Sequence, residues 1–435
     1  ANINFGTFAK ATELRKRIWF TLGALIIYRL GTYIPIPGID PVGLEQAFGQ
    51  AQRGIFGQLD LFLGGAVGRL AIFALGIMPY ISASIIMQLM TSVVPSLEQL
   101  KKEGEQGRKV INQYTRYGTV LLAIVQSYGI AVGLEASGTI VEEPGWFFRI
   151  TTVITLTGGT MFLMWLGEQI TARGIGNGIS LIIFAGIVAE FPGAIVQLFE
   201  LGNTGAISTP FLLGFLVLTI ATIAFIVFME RAQRRLVVQY PKRQMGNRMF
   251  QGDSSHLPLK LNTAGVIPPI FATSLLLLPI TLANFSATNE AGGFLAETSA
   301  LLVRGGTLYL AFYAVLIIFF AFFYTAIVFN PQDTADNLKK QGGFIPGIRP
   351  GEKTAEYIDY VLTRITVVGA IYLTIVCLIP EFLISTTGVQ IAFGGTSLLI
   401  MVSVTMDTVQ QVQGHLIAQQ YEGLVKKSKL RGKRK

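Results

Sequence analysis

The chain has 435 residues, of which 51% are hydrophobic and only 14% charged, against about 25% charged in a typical soluble domain; its mean hydropathy is +0.55. That balance is at odds with a soluble globular chain and reads as an all-α polytopic membrane protein, in which the 48 glycines and 17 prolines are accommodated because neighbouring helices satisfy backbone groups freed at kinks. The single cysteine, Cys377, excludes an intrachain disulfide. With only His256 and His415 beside it, both expected on wet loops, no Cys/His metal site is expected and no cofactor is implied.

The opening segment "ANINFGTFAKATELRKR" has no apolar core before Ile18 and no small-residue cleavage pattern, and is not expected to be a signal peptide. Apolar runs long enough to cross a bilayer then follow near 18–36, 72–93, 113–133, 148–168, 178–198, 209–229, 263–284, 307–329, 362–383 and 391–410, which predicts ten transmembrane helices. An even number of spans puts both ends on one side. If the N-terminus is inside, the inside segments hold 29 of the 34 Lys and Arg residues, leaving Arg29, Arg53, Arg69, Arg149 and Arg304 for the spans and the other face. The net charge of +9 therefore belongs to the inner face.

Before the second run stands "LDLFLGGAVGRLAIFALGIMPYISASIIMQL", Leu59–Leu89, broken by Gly64, Gly65 and Gly68 and carrying Arg69. As one helix it would be roughly 45 Å long, well beyond a hydrocarbon core of about 30 Å. Its "GIMPYISAS", Gly76–Ser84, matches "GVIPPIFATS", Gly265–Ser274, at an offset of 189 residues: Gly76 with Gly265, Pro79 with Pro268, Ile81 with Ile270, Ala83 with Ala272. One copy opens an outside-to-inside span and the other an inside-to-outside span, each the second of five. That is the signature of an inverted repeat about an axis in the membrane plane. It divides the chain into an N-terminal half, 1–204, a C-terminal half, 205–410, and a basic cytosolic tail, 411–435. Proline and glycine are expected to bend or loosen both helices where the halves meet, with a pathway between them.

Two inside loops are long, 230–261 with "ERAQRRLVVQYPKRQMGNRMF" and 330–360 with "NPQDTADNLKKQGGFIPGIRPGEKTAEY". Basic loops set topology and attract anionic lipid. Their length points further, to a docking surface for RNA phosphates or an acidic protein face, with the turn-rich "FIPGIRPGE" holding Arg349 at a loop tip.

The pathway is not of the coupled-transporter kind. Glu168, Glu230, Glu381 and Asp407 fall near span ends, Arg29 lies about two-thirds along the first span and Arg69 follows the glycines, so a proton or sodium relay has no evident carriers. "RGIGNGIS", Arg173–Ser180, joins two spans without a preceding strand and reads as a tight turn, not a phosphate loop. No GxxxxGK[ST], HExxH or GxSxG is present, so no catalytic activity is expected and any energy must come from a partner. Isoleucines recur instead, Ile77 and Ile81 four apart, Ile179 and Ile183 four apart, with Ile270 and Ile400 on the seventh and tenth spans. Such residues are ordinary in lipid-facing helices; if they converge, they form an apolar constriction that holds back ions by dewetting yet yields to a wide object.

"IPIPGID" (Ile34–Asp40), "FALGIMPYISASI" (Phe73–Ile85), "KKEGEQGRK" (Lys101–Lys109), "QYTRYGT" (Gln113–Thr119), "GTMFLMWLGEQIT" (Gly159–Thr171), "RGIGNGIS", "FNPQDTADNLKKQGGFIPGIRPGEKT" (Phe329–Thr354) and "FGGTSLLI" (Phe393–Ile400) together give a more specific reading. Along essentially its whole length the chain resembles the bacterial SecY family, the channel subunits of the general protein-secretion translocon. The resemblance implies two inverted five-helix halves hinged on one side and parting on the other, between the second and seventh spans, so that secretory chains pass through the centre and hydrophobic segments leave sideways into the plasma membrane. It implies a pore ring of Ile77, Ile81, Ile179, Ile183, Ile270 and Ile400, and gate-lining polar residues Ser82, Gln88 and Asn262. It makes Ile55–Val67, with Ile55, Phe56, Asp60, Leu61, Gly64 and Gly65, a short plug helix, its glycines letting the join to the span bend. Asp60 is odd in a buried segment and suggests a wet outer face; Arg69 is placed either to cap carbonyls or to meet a carboxylate. Docking falls to Arg349, Arg243, Arg248, Lys339 and Lys340, although Asn247 stands where relatives often carry a further arginine. The implied partners are SecE and SecG subunits, the SecA ATPase, the translating ribosome, secretory and membrane-protein precursors, and anionic lipids. A secondary transporter or flippase built on an inverted repeat is the alternative.

Overall fold

The computed structural model describes residues 12–40, 43–44, 60, 63–136, 140–205, 207–241, 243–245, 248–250, 254–286, 306–387 and 394–432. Ile55, Phe56 and Leu61 therefore lie outside the described residues, as does Asn247. The described residues are mostly helical, with two short hairpins. In order, α1 is Thr12–Gly31, α2 Met78–Val93, α3 Pro95–Lys102, α4 Glu105–Ala136, α5 Trp146–Arg173, α6 Gly178–Asn203 and α7 Thr209–Arg231. Strands β1 Gln233–Gln239, β2 Arg243–Met245, β3 Arg248–Phe250 and β4 Ser254–Lys260 follow, then α8 Ile267–Ser286, α9 Thr307–Val328, α10 Pro331–Lys340, α11 Glu352–Thr387 and α12 Gly395–Gly432. Among the described residues six helices are long and apolar enough to cross a membrane, seven if the bent α2–α3 pair is one span. This is a multi-pass membrane protein. The outer faces fit lipid: on α7, Leu213, Val217, Ile220 and Phe228 are each more than half exposed, a distribution that water would penalise.

The internal repeat is visible in the backbone. Gly76 has φ 54° and Gly265 φ 64°; two residues after each, a helix begins, and Pro79 and Pro268 occupy the second helical position of α2 and α8. Proline suits the first turn, where its missing N–H has no partner to lose, and the left-handed glycine turns the chain into the helix. The prolines thus start the helices instead of bending them, and the second span is shorter than the 72–93 run suggested. Residues 63–77 are mostly turns; of the expected plug helix the described residues are Asp60, which is helical, and 63–67, which form turns and a bend.

Helices α1, α2, α4, α5 and α6 pack among themselves, as do α7, α8, α9, α11 and α12, and the two groups meet along two lines: α8 against α2 and α4, and α12 with α7 against α6 and α1. Loop "RGIGNGIS" is a capped turn. The Asn177 side chain accepts from the Ile179 N–H at the start of α6, and Gly176 N–H donates to Gln411 Oε1 of α12. His415 is not on a loop, because α12 continues as helix through Gly432.

The two long loops share one core. β1 and β4 pair antiparallel, Gln233 opposite Lys260 and Gln239 opposite Ser254, while Gln239 and Phe344 exchange backbone hydrogen bonds of 2.9 Å. Leu236, Val238 and Leu259 of the hairpin pack with Leu338 of α10, Ile345 of the following turn, and Ile358 and Ile365 of α11. Asn330 caps α10 by accepting from Gln332 N–H.

Candidate functional site

Where the two helix groups meet, Ile77, Ile81, Ile183 and Ile270 converge with Leu63, Met78 and Thr273 around a narrow cavity of about 20 Å³, room for about one water molecule. Its lining is apolar apart from Thr273, whose hydroxyl is turned away to the Pro269 carbonyl at 2.9 Å. Ile179 and Ile400 belong to the same apolar cluster without lining the cavity. A closure of this kind excludes ions because no side chain offers them a ligand and the space is too small for a hydrated column. Leu63 and Thr273 were not foreseen. Thr273 could have been, since it stands in the repeat where Ser84 stands in the first copy, three residues after Ile270.

Leu63 reaches the cavity because Gly76 leaves room for it; a Cβ on Gly76 would overlap the Leu63 side chain, whereas one on Gly265 would meet open space. Both glycines have positive φ, so alanine carries a similar strain of about 1–2 kcal/mol at either. Gly76→Ala is expected to lower stability and also to displace Leu63, raising resting ion conductance in planar bilayers. Gly265→Ala should show the stability cost without the leak. Equal conductance of the two variants would refute the assignment.

Beneath the cavity the segment around the glycines is held by polar contacts. Tyr28 Oη donates to Leu63 O at 3.2 Å; Arg29 Nη1 and Arg69 Nη2 both donate to Gly64 O. Each guanidinium lies 3.6 Å from Glu190 Oε1 on α6 and over the Tyr33 ring, at 4.9 and 4.3 Å from its centroid. Arg69 therefore does both things open to it, capping a carbonyl and meeting a carboxylate. Glu190 lies inside the 178–198 run, so the roll of acidic groups at span ends was incomplete. Asp60 is not simply wet: its Oδ1 accepts from Gly68 N–H at 2.7 Å, closing the glycine loop on itself. Burial pushes the Asp60 carboxyl above the usual carboxylate range, opposed by that N–H.

The segment's exit is strapped as well. Ile36 N–H donates to Leu70 O and Ile72 N–H to Ile34 O, both at 2.9 Å, so "IPIPGID" lies along the join. Leu70 has φ 42°, a left-handed conformation that costs a bulky residue about 1 kcal/mol or more and persists because these bonds over-determine it.

On α2, Ser82 is buried. Gln88 Nε2 donates weakly to Ser84 Oγ at 3.4 Å, while Gln88 Oε1 is buried without a partner among the described residues, which costs about 1–3 kcal/mol. Asn262 is committed elsewhere: its amide donates to Glu230 Oε1 of α7 at 2.7 Å and to Gly265 O at 3.1 Å, stiffening the turn into α8. Arg349 is exposed beyond Gly347, its carbonyl accepting from Thr354 Oγ1 at 2.9 Å. Lys339 and Lys340 are exposed in the last turn of α10. The backbone places Arg243 opposite Phe250 and Arg248 opposite Met245 on the β2–β3 hairpin.

An apolar constriction between two inverted-repeat groups of membrane helices, closed from one side by a glycine-broken segment, defines a gated-pore architecture. The same fold is found in a solved structure described as a protein-conducting channel, with a TM-score of 0.68 at 18% identity over 92% of each chain, and in Sec61 of a canine ribosome–channel complex from the endoplasmic reticulum, with a TM-score of 0.65 at 18% identity over 92% of each chain. The SecY family model matches residues 71–409. The protein translocase subunit SecY of Rickettsia conorii is 54% identical over 427 residues, covering 96% of this chain and 97% of that relative. That of Escherichia coli (strain K12) is 55% identical over 423 residues, covering 97% and 96%. The chain belongs to the SecY family.

Proposed function

We infer that this protein is the channel subunit of a protein translocase, passing unfolded secretory polypeptides across the bacterial plasma membrane and releasing hydrophobic segments sideways into lipid. The observation that carries this reading is the convergence of Ile77, Ile81, Ile183 and Ile270 over Leu63, a dry closure that a polypeptide can spread and an ion cannot enter. In this reading the ring is completed by Ile179 and Ile400, residues 55–67 form the plug, and the seam bearing Ser82 and Gln88 is the lateral gate, with Asn262 bracing its α8 side. Residues 1–204 and 205–410 are the two halves, and both termini, with the basic tail 411–435, are cytosolic.

The shared core of the two inside loops supports a single docking platform bearing Arg349, Lys339, Lys340, Arg243 and Arg248. Its partners would be the SecA motor or the translating ribosome, with SecE and SecG subunits and anionic lipid around the helices. A transporter reading has less support: the one carboxylate deep in the sixth helix, Glu190, is engaged by two arginines instead of standing available as a carrier.

The test is a photoreactive residue at Ile270, in vesicles holding a secretory chain arrested midway by the motor and ATP. A crosslink to the arrested chain is expected with ATP and not without it, and none from Val315, which is 63% exposed on the lipid side of α9. No crosslink from Ile270 where the arrested chain is otherwise demonstrable would overturn the channel reading.

A further inference from the structure

Two guanidinium groups, from Arg29 on α1 and Arg69 at the join, converge on one carbonyl oxygen, that of Gly64, and over one ring, that of Tyr33. Two like charges this close repel, and a single peptide carbonyl supplies only a partial negative charge. What balances them is Glu190 Oε1, 3.6 Å from each. We propose that Glu190 is the shared counter-charge of a polar latch, in which Arg29 and Arg69 grip the Gly64 carbonyl and so set how readily the segment 63–70 leaves its closed position. The inference rests on the reading of that segment as a plug.

The geometry explains why this is a latch and not a permanent staple. The side chains of Arg29, Arg69 and Glu190 are 29%, 38% and 30% exposed, so water and ions reach them, and ion pairs in such surroundings are weak and screened by salt. The grip falls on a backbone carbonyl, next to glycines whose positive φ values of 64° and 76° let the chain swing once it is freed. Glu190 acts through the two arginines and is therefore a positioning residue. Asp60, whose carboxyl is held by Gly68 N–H, feels both the repulsion of Glu190 and the attraction of Arg69.

The test uses the assembled complex in proteoliposomes with Ala66→Cys, a position fully buried in the closed segment, and reads its labelling by a membrane-impermeant thiol reagent. Native Cys377, 1% exposed in the helix core, serves in the same molecule as the reporter of general loosening. Glu190→Gln is expected to speed labelling at position 66 about five-fold or more, from loss of two weak ion pairs and of the charge that holds two cations together, with Cys377 unchanged. Raising salt to about 1 M, where the screening length is about 3 Å, should speed labelling of the parent and leave Glu190→Gln nearly unaffected; Glu190→Asp should lie near the parent. No acceleration at position 66, acceleration of both thiols in parallel, or equal salt responses would overturn the latch. Ion conductance of the same variants separates the two readings: faster labelling without a conductance rise would sustain the latch and overturn the plug assignment.

Discussion

Replacing Arg349 with glutamate is expected to slow motor-driven export roughly 30-fold or more, the scale set by losing one partner of a charge pair at a docking surface, about 2–5 kcal/mol. The expectation rests on where the residue stands. Arg349 is exposed, its turn is closed by contacts that do not use its side chain, such as the Thr354 hydroxyl donating to the Arg349 carbonyl, and the core that carries the turn is built from Leu236, Val238, Leu259, Leu338, Ile345 and Ile358. Reversing its charge therefore leaves the fold intact, with a stability change within about 0.5 kcal/mol, while presenting a repulsive group to an acidic partner. ATP-driven translocation into vesicles, measured beside the melting temperature of the purified protein, checks this. A fall in folded protein proportionate to the fall in export would make Arg349 structural.

Placing polar groups in the constriction is expected to have an equally large effect of a different kind. Ile81→Asn together with Ile270→Asn puts two amides on facing walls of a cavity of about 20 Å³, where a constriction that stays dry only while its walls are apolar will admit water. Resting ion conductance in bilayers should rise about ten-fold or more, with export retained. Conductance at the parent level would show that the closure lies elsewhere. The sites lie on α2 and α8 at equivalent places of the repeat, so each single variant should produce part of the leak.

Much of this architecture was legible in the sequence. The one-sided Lys and Arg pattern pointed to an inner face because moving Lys or Arg across lipid is costly, and the apolar runs located the helices because backbone groups in lipid must bond within their own segment. The repeat of Gly76–Pro79 at Gly265–Pro268 was visible as a pattern, and family motifs named the isoleucines. Its consequence was misjudged, because proline read by itself signals a kink, and only the preceding glycine's positive φ reveals that the helix begins there.

What sequence could not provide is partnership across distance. Nothing in spacing tells that Ile77 and Ile81, a hundred residues from Ile183, meet Ile270 over Leu63, or that Ile179 and Ile400 pack behind them. Nothing brings Glu190 to two arginines more than a hundred residues earlier, or commits the Asn262 amide to Glu230 in place of the α2 seam. Composition and periodicity determined that this is a many-helix membrane protein with one basic face, because solvent and lipid act on each segment independently. The closure, its glycine-backed wedge and the latch on Gly64 were decided only by tertiary structure, because they consist of contacts between segments that share no local signal.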